Sequence, residues 1–372
     1  MVQRVMIIAG ETSGDIHGAG VVRELKRKVP SVEIYGVGGE NMKKEGMHLV
    51  YHVNELSFMG FIEVVKHLPL IRSVELTLEQ LLRMKRPDVV LFIDYPGFNL
   101  RFARRVKSYG IKTMYYISPQ VWAWKKGRIK KIRSLIDMML VVFPFEVPMY
   151  ERAGVPVRFV GHPLVEEMNE LMSKEQFFKR YGINPDKSYI AVIPGSRKQE
   201  IVKLLSLMVR AATGVAGEEK EVVVAVAPGL SIEQCRAITP HGLNVHYVQH
   251  ATHEVMKYSE FAFVTSGTAT LETACSETPM VVVYKTSQLT YWIARLVVRI
   301  KNIALVNIVA GKRIVPELVQ HHATVETLIH EAKNIIDFPE RYAEMKKNLQ
   351  VVRDNLGTAG ASAAVAQAIL AP

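Results

Sequence analysis

Cysteine is nearly absent from this chain of 372 residues, which contains only Cys235 and Cys275. Two cysteines provide neither a disulfide framework nor the paired spacing of a zinc site, which fits a reducing compartment. Long apolar runs are absent as well. No stretch reaches the roughly 20 uncharged apolar residues that a membrane-spanning helix needs. The sequence therefore indicates neither a disulfide-stapled secreted domain nor an integral membrane protein.

Acidic residues are absent between Asp94 and Asp137, in a chain whose formal net charge is +11. That stretch instead carries eleven basic residues: Arg101, Arg104, Arg105, Lys107, Lys112, Lys125, Lys126, Arg128, Lys130, Lys131 and Arg133. A solvated helix face would explain them, and so would attraction to an acidic surface, either anionic lipid or nucleic acid. The chain lacks a zinc-finger or RRM signature, which makes nucleic acid the weaker candidate.

Familiar phosphate and metal motifs are missing too. The Gly-rich turn at 10–15 matches neither G-x-G-x-x-G nor a P-loop, and no Asp-x-Asp pair is available to hold a diphosphate through a metal. His246, His250 and His253 cluster in the sequence, but no thiol and no clear further ligand accompany them. We therefore expect no metal and no other cofactor.

The sequence does contain a regular alternation of strand-like and helix-like runs. Strand patterns cover 5–9, 33–37, 89–93, 113–117, 138–142, 157–160, 189–193, 222–227, 244–248, 261–264 and 280–284. Such alternation predicts an α/β protein with two Rossmann-like parallel-sheet domains facing a central cleft. The turn at Gly161-His162-Pro163 predicts domains at 1–163 and 164–344, with a helical segment at 345–372 that packs back onto the first domain.

Two small-residue turns each follow a strand pattern and open a helix pattern. They are PGSR at 194–197 and TSGT at 265–268. A helix N-terminus presents unpaired N–H groups and the positive end of a dipole, so it suits a phosphate. Two such turns in one domain predict a pyrophosphate site with contacts from Gly195, Ser196, Arg197, Ser266, Gly267 and Thr268.

Arg197 is the cation of this predicted site. Ser196 and Gln199 match an S-x-x-Q capping box, which gives Ser196 a structural explanation. An arginine in a first helical turn opposes the helix dipole, so the sequence favours an anion beside Arg197.

Asp94 ends the strand pattern at 89–93 in the other half of the chain. The carboxyl end of a strand is where an open α/β sheet places ligand contacts. Transfer of a glycosyl or acyl group to a hydroxyl needs a base that takes the proton. A turn-forming role before Pro96, or an N-cap for a helix beginning near Asn99, explains the residue equally well.

Further polar residues are candidates for substrate contact. Glu272 either compensates the helix dipole or accepts hydrogen bonds from ribose hydroxyls. Asn307 is either a turn residue or a contact to sugar or phosphate. Glu11, Ser13 and Asp15 lie in the turn at 10–15, where the carboxylates would repel phosphate and favour sugar hydroxyls.

The most apolar mixed segment covers 56–71 and reads as hydrophobic on more than one face. A core helix is the ordinary interpretation. Beside a basic surface, such a segment would also suit shallow insertion at a membrane interface. The acyl- or membrane-contacting candidates are Phe58, Met59, Phe61, Val64, Val65, Leu68 and Leu70.

Taken in order, these motifs resemble the lipid-A-disaccharide synthase family, whose members are GT-B glycosyltransferases. The matching segments are AGETSGDIHGA, GVGGENMKKEGM, LSFMGFIEVVKHLP, the Asp94 block, YYISPQVWAWKKGRIKKI, VGHPL, IPGSRKQEI, SGTATLE and PELVQ. The stretch at 118–124 and IPGSR are the most specific together, whereas SGTATLE is shared more widely among GT-B enzymes. The family often has Leu-Pro-Asn where this chain has Leu305-Val306-Asn307.

The resemblance implies an inverting transfer from UDP-2,3-diacylglucosamine to the 6-hydroxyl of 2,3-diacylglucosamine 1-phosphate (lipid X), giving a β-1,6-linked disaccharide and UDP. It implies that Asp94 is the base, that Arg197 balances charge on the leaving diphosphate and that Glu272 holds the ribose. Glu11, Asp15 and Asn307 would place acceptor or donor. It also implies an acceptor-binding first domain, a UDP-sugar-binding second domain, a homodimer with exchanged C-terminal segments, and peripheral association with the cytoplasmic face of the inner membrane of a Gram-negative bacterium.

Other interpretations stay open at this stage. A UDP-N-acetylglucosamine 2-epimerase would need no lipid acceptor, and a lipid-linked N-acetylglucosaminyltransferase would differ in substrate choice. A non-catalytic nucleotide-sugar-binding module belongs to a different class, and turnover that depends on Asp94 would separate an enzyme from it.

Overall fold

The structure is a computed structural model that describes residues 2–55, 68–121, 127–168, 171–286 and 302–371. The chain divides into two compact units. The first unit combines Met1–Pro163 with Gly357–Pro372, and the second is Leu164–Leu356. Within the described ranges, no helix is both long enough and apolar enough to cross a bilayer.

The first unit contains a parallel sheet of seven described strands in the order β3-β2-β1-β4-β5-β6-β7. The strands are β1 Arg4–Ala9, β2 Glu33–Gly38, β3 His48–His52, β4 Val89–Ile93, β5 Lys112–Tyr116, β6 Met138–Val141 and β7 Val157–Phe159. β4 is buried along its whole length. Because helices cover both faces of a parallel sheet, such a central strand is a continuous apolar run.

The helices of the first unit lie between these strands. They are α1 Thr12–Lys28, α2 Glu40–Lys44, α3 Leu68–Lys85, α4 Pro96–Ser108, α5 Arg128–Leu135 and α6 Val147–Arg152, with 3₁₀ helices at Val53–Glu55 and Pro144–Glu146. Met6 and Ile8 of β1 join one core with α3 and α4. Since side chains alternate along a strand, Val5 and Ile7 face the opposite side of the sheet.

The second unit repeats this arrangement with six described parallel strands in the order β10-β9-β8-β11-β12-β13. The strands are β8 Tyr189–Ile193, β9 Glu221–Val226, β10 His246–Gln249, β11 Phe261–Thr265, β12 Met280–Tyr284 and β13 Glu317–Val319. In each sheet the strand order reverses beside the first strand of the unit. The two reversal points are β1/β4 and β8/β11, where open α/β sheets bind ligands.

The helices of the second unit cover its sheet. They are α7 Leu164–Glu167, α8 Lys174–Tyr181, α9 Lys198–Ala216, α10 Ile232–Ile238, α11 Thr252–Tyr258, α12 Ala269–Cys275, α13 Leu305–Val309, α14 Val325–Ile336 and α15 Pro339–Asn355, with a 3₁₀ helix at Gln320–His322.

The C-terminal segment differs from the single helix expected over 345–372. Helix α15 belongs to the second unit, and a separate helix, α16 Ala361–Leu370, packs against α1 in the first unit. Gly357 and Gly360 separate the two helices, with φ angles of 91° and 129°. Left-handed backbone of this kind is accessible to glycine and interrupts a helix.

Candidate active-site residues

Glu11 and Asp94 follow neighbouring strands at the reversal point of the first sheet. Ala9 pairs with Ile93 in the β1/β4 register, so the loops that leave both strands start side by side. Gly10 makes this approach possible because a Cβ atom there would lie 2.2 Å from Cδ1 of Tyr95. The sequence prediction that Asp94 lies at a ligand-binding edge thus agrees with the topology.

The backbone of Asp94 is held in an unusual conformation. Asp94 and Tyr95 have φ angles of 45° and 48°, in the left-handed region. The N–H of Asp94 donates to the carbonyl of Tyr116 at 3.0 Å. Its carbonyl accepts from Nδ2 of buried Asn99 at 2.7 Å and from the hydroxyl of Tyr115. Residues in this region cost of order 1–3 kcal/mol and occur at functional sites.

A helix-capping role does not account for Asp94. Helix α4 begins at Pro96, three residues before the start near Asn99 that the sequence suggested, and its N-cap residue is Tyr95. Pro96 explains this earlier start because its fixed φ suits the first helical turn. The carboxylate of Asp94 is therefore available for another purpose.

The environment of Asp94 raises the pKa of its carboxyl group to about 6. Burial is the main cause, and the negative charge of Glu11 adds to it. The N–H of Tyr95 and the nearby His17 act in the opposite direction. Because a general base works best with a pKa near the operating pH, the shift improves Asp94 as a proton acceptor.

The other candidates of the first loop fall into exposed and buried residues. Glu11 and Ser13 are exposed at the start of α1. Asp15 is 3 % exposed, and its two carboxylate oxygens accept hydrogen bonds from Gly39, Asn41 and Met42. These oxygens hold the start of α2, and the predicted acceptor contact of Asp15 stays a prediction.

The two predicted phosphate turns lie side by side in the second unit. Ile193 pairs with Val264 where β8 and β11 meet, and the turns follow directly. Gly195 has φ 101°, and a Cβ atom there would lie 3.0 Å from Cγ2 of Thr265. Gly267 has φ 149°. Both glycines thus suit backbone that side-chain-bearing residues rarely adopt.

Arg197 has a structural partner that the sequence analysis did not identify. Helix α9 begins at Lys198 with Arg197 as its N-cap residue, so the predicted cap of Ser196 with Gln199 is wrong. The N–H of Arg197 donates to Oε2 of Glu200 at 3.4 Å, and its guanidinium pairs with Oε1 at 3.1 Å. The Arg197 side chain is still 67 % exposed, so the guanidinium remains accessible to an anion.

Glu272 lies in α12 and pairs with a histidine. Its Oε2 is 3.6 Å from Nε2 of His253. Burial disfavours a charge on His253, but Glu272, together with the charges of Glu167 and Glu254, outweighs burial and raises the pKa of the imidazole. This partner orients the Glu272 carboxylate.

Asn307 is a structural residue. It is completely buried in α13. Its Nδ2 donates to Val315 and Glu317, and its Oδ1 accepts from the N–H groups of Ile314 and Val315. These four bonds use the donors and acceptors of the amide within the protein, and the predicted donor contact of Asn307 stays a prediction.

The clustered histidines have separate neighbours. His246 lies 3.4 Å from Glu221, whereas His253 pairs with Glu272. Across the part of the chain that the structure describes, no three His, Cys, Asp or Glu side chains are grouped to hold a metal ion.

The sequence profile of the family described as lipid-A-disaccharide synthetase matches residues 5–370. Lipid-A-disaccharide synthase of Geobacter sulfurreducens is 40% identical over 370 residues, covering 99% of this chain and 96% of the relative. The same enzyme of Nitrosococcus oceani is 39% identical over 370 residues, covering 99% and 95%. The chain belongs to the lipid-A-disaccharide synthase family. It is therefore a glycosyltransferase of lipid A biosynthesis.

Solved structures bear out the GT-B fold of this family member. The calicheamicin glycosyltransferase CalG4 superposes with a TM-score of 0.68 at 15% identity and full coverage of both chains. UDP-GlcNAc 2-epimerase from Neisseria meningitidis gives a TM-score of 0.68 at 14% identity, covering 99% of this chain and 100% of the other. At these identities the likeness concerns the fold alone.

Two of the predicted acyl-contact residues of this synthase-family chain fall within the residues that the structure describes. Phe58, Met59, Phe61, Val64 and Val65 lie outside the described residues. Leu68 and Leu70 lie in the first turn of α3. Leu68 is 48 % exposed, whereas Leu70 packs against the core of the first unit.

Three residues that the sequence patterns did not single out contact Asp94 or line the same cavity. Asn99 and Tyr115 hold its carbonyl oxygen, and Arg128 lines a cavity of about 180 Å³ together with Asp94. Among the residues that the structure describes, the lining is Asp94, Pro96, Pro119, Gln120, Val121 and Arg128. Arg128 was identified in the sequence only as one of many basic residues.

Proposed function

We propose that the chain joins UDP-2,3-diacylglucosamine to the 6-hydroxyl of 2,3-diacylglucosamine 1-phosphate, releasing UDP. The observation that supports this reaction best is Asp94, a carboxylate with a raised pKa at the reversal point of a parallel sheet. Membership of the lipid-A-disaccharide synthase family supplies the substrate class.

In the proposed reaction, the acceptor O6 attacks the anomeric carbon of the donor as the bond from that carbon to UDP breaks. Asp94 takes the O6 proton, and the electron pair of the broken bond leaves with UDP. One displacement inverts the anomeric centre through an oxocarbenium-like state. A base with a pKa of about 6 is ionised at neutral pH and ready to accept the proton.

The second unit is proposed to bind the UDP portion. The adjoining turns offer the backbone N–H groups of Gly195, Gly267 and Thr268 to the diphosphate. The N–H of Ser266 donates to the carbonyl of Val283, so Ser266 would contact the donor through its side chain. Arg197 would exchange its pairing with Glu200 for a phosphate oxygen, since its guanidinium is largely exposed. Glu272, held by His253, would accept the ribose hydroxyls.

The first unit is proposed to bind the acceptor, with Glu11 and Ser13 beside its sugar. Both substrates carry acyl chains, so we also propose peripheral association with the cytoplasmic face of the inner membrane. The basic residues of α4 and α5 and the exposed Leu68 support this association. A homodimer completes the proposal, and exchange of its C-terminal segments would place α16 on α1 of the second copy instead of on α1 of its own chain.

Product analysis by mass spectrometry tests the reaction. Purified protein in detergent is incubated with both substrates, and a tetraacyl disaccharide monophosphate plus UDP is expected. Asp94→Asn should bind UDP as the wild type does and form no product. Donor consumption without disaccharide would contradict the proposed transfer, and full turnover by the variant would remove Asp94 from the mechanism.

A further inference from the structure

The cavity that Asp94 lines also has a cation on its border. Asp94 follows β4, whereas Arg128 is the first residue of α5, and both line the same space. At about 180 Å³ the cavity is smaller than the roughly 300–1,000 Å³ of sites that enclose a whole ligand. It would therefore take one polar part of a larger substrate.

Further positive charge surrounds Arg128. Lys131 lies one turn later on α5, and Arg104 lies on α4, which packs against α5. Burial lowers the pKa of Lys131, and the charges of Arg104, Arg128 and Arg101 lower it further, so these cations share one region. Arg101 is balanced by Glu75, 2.5 Å away.

The two charges of the cavity act on one buried tyrosine. Burial raises the pKa of Tyr115, the charge of Asp94 raises it further, and the charge of Arg128 lowers it. Because the carboxylate and the guanidinium also line one cavity, both are placed to contact one ligand.

The acceptor of the proposed function has two matching parts. One sugar ring carries the 6-hydroxyl that loses a proton, attached through C5, and a 1-phosphate on C1, on the other side of the ring oxygen. An arginine fork matches a phosphate through paired hydrogen bonds. The diphosphate of the donor is assigned to the turns of the second unit, so the acceptor is the phosphate source that suits this cavity.

We propose that Arg128 binds the 1-phosphate of the acceptor, in the field of Lys131 and Arg104, and so sets the acceptor hydroxyl at Asp94. This assignment rests on the proposed function for the identity of the acceptor. It makes Arg128 a determinant of specificity for phosphorylated over unphosphorylated acceptors.

The experiment compares the dissociation constants of 2,3-diacylglucosamine 1-phosphate and 2,3-diacylglucosamine in detergent, for wild type, Arg128→Ala, Arg128→Gln and Arg128→Lys. Lys28→Ala is the matched control, since Lys28 is a cation exposed at the end of α1 in the same unit. The wild type should prefer the phosphorylated acceptor by about 10- to 100-fold, the range of one charged hydrogen-bonding contact. The alanine and glutamine variants should lose that preference, lysine should restore part of it, and the control should keep it.

Equal weakening of both acceptors in the alanine and glutamine variants would show a structural role and overturn the proposal. An unchanged preference would overturn it as well, and so would a loss confined to the UDP-sugar. Because binding is measured apart from turnover, the two proposals can fail separately. A wild type that prefers the phosphorylated acceptor but forms no disaccharide would contradict the proposed function and leave the phosphate site standing.

Discussion

Replacing Asp94 with asparagine should remove activity and, at neutral pH, increase stability. Asparagine keeps the shape of the side chain and tolerates the left-handed backbone at φ 45°, whereas alanine would add strain. The variant therefore isolates the effect of the charge. Its stability should differ from the wild type in a manner that depends on pH.

The magnitude follows from the pKa of Asp94. A rise from 3.8 to about 6 favours the neutral carboxyl in the folded state by at most about 3 kcal/mol. The stability associated with this raised pKa is present below 3.8 and is lost as the pH rises through about 6. Asparagine never ionises, so the advantage of the variant grows across this window and is complete above about pH 7. The figure is an upper limit because the carboxyl keeps some access to water.

The assay is thermal unfolding of both proteins between pH 4.5 and 8, monitored by fluorescence. UDP binding by each protein is measured alongside to check that it is folded. The advantage of Asp94→Asn should be small at the acid end and largest above pH 7. A stability difference that stays constant with pH would refute the assigned pKa. A variant that is less stable at every pH would show that the carboxylate makes contacts that stabilise the folded protein.

Two more predictions concern neighbouring carboxylates and buried polar groups. Glu11→Gln removes a negative charge that raises the pKa of Asp94, so the acid limb of the pH profile of kcat/KM should move to lower pH. The control Glu24→Gln, in α1, should leave the acid limb in place. Asp15→Ala and Asn307→Ala each leave several buried backbone groups without partners. Each variant should therefore lose about 2 kcal/mol or more of stability, seen as a lower unfolding temperature. The KM of the protein that remains folded should change little. A changed KM without loss of stability would return these two residues to substrate contact.

Central strands could be predicted from the sequence with accuracy. The patterns at 89–93, 189–193 and 280–284 match β4, β8 and β12 residue for residue. These strands are buried on both faces and therefore form continuous apolar runs. β3 and β13 were not predicted. Both lie at sheet edges, where a short strand of mixed polarity carries no such run.

Site residues at strand ends could be predicted from the sequence. Hydrogen bonds between site residues and backbone groups far away in the sequence could not. The positions of Asp94 and Gly195 follow from the ends of β4 and β8. The hydrogen bonds of Asp15 could not be predicted, because the N–H groups that donate to it come from residues more than 20 positions away. The pairing of Arg197 with Glu200 was visible as an i, i+3 spacing, since such positions are neighbours on a helix.

Helix α16 has a consequence for how the protein is made. It completes the first unit by burying Ala361, Val365 and Ile369, and it packs on α1, yet it follows the whole second unit in the chain. During translation, therefore, the surface of α1 that receives α16 stays uncovered until the second unit has left the ribosome. A chain interrupted within the second unit would display that surface to chaperones and proteases.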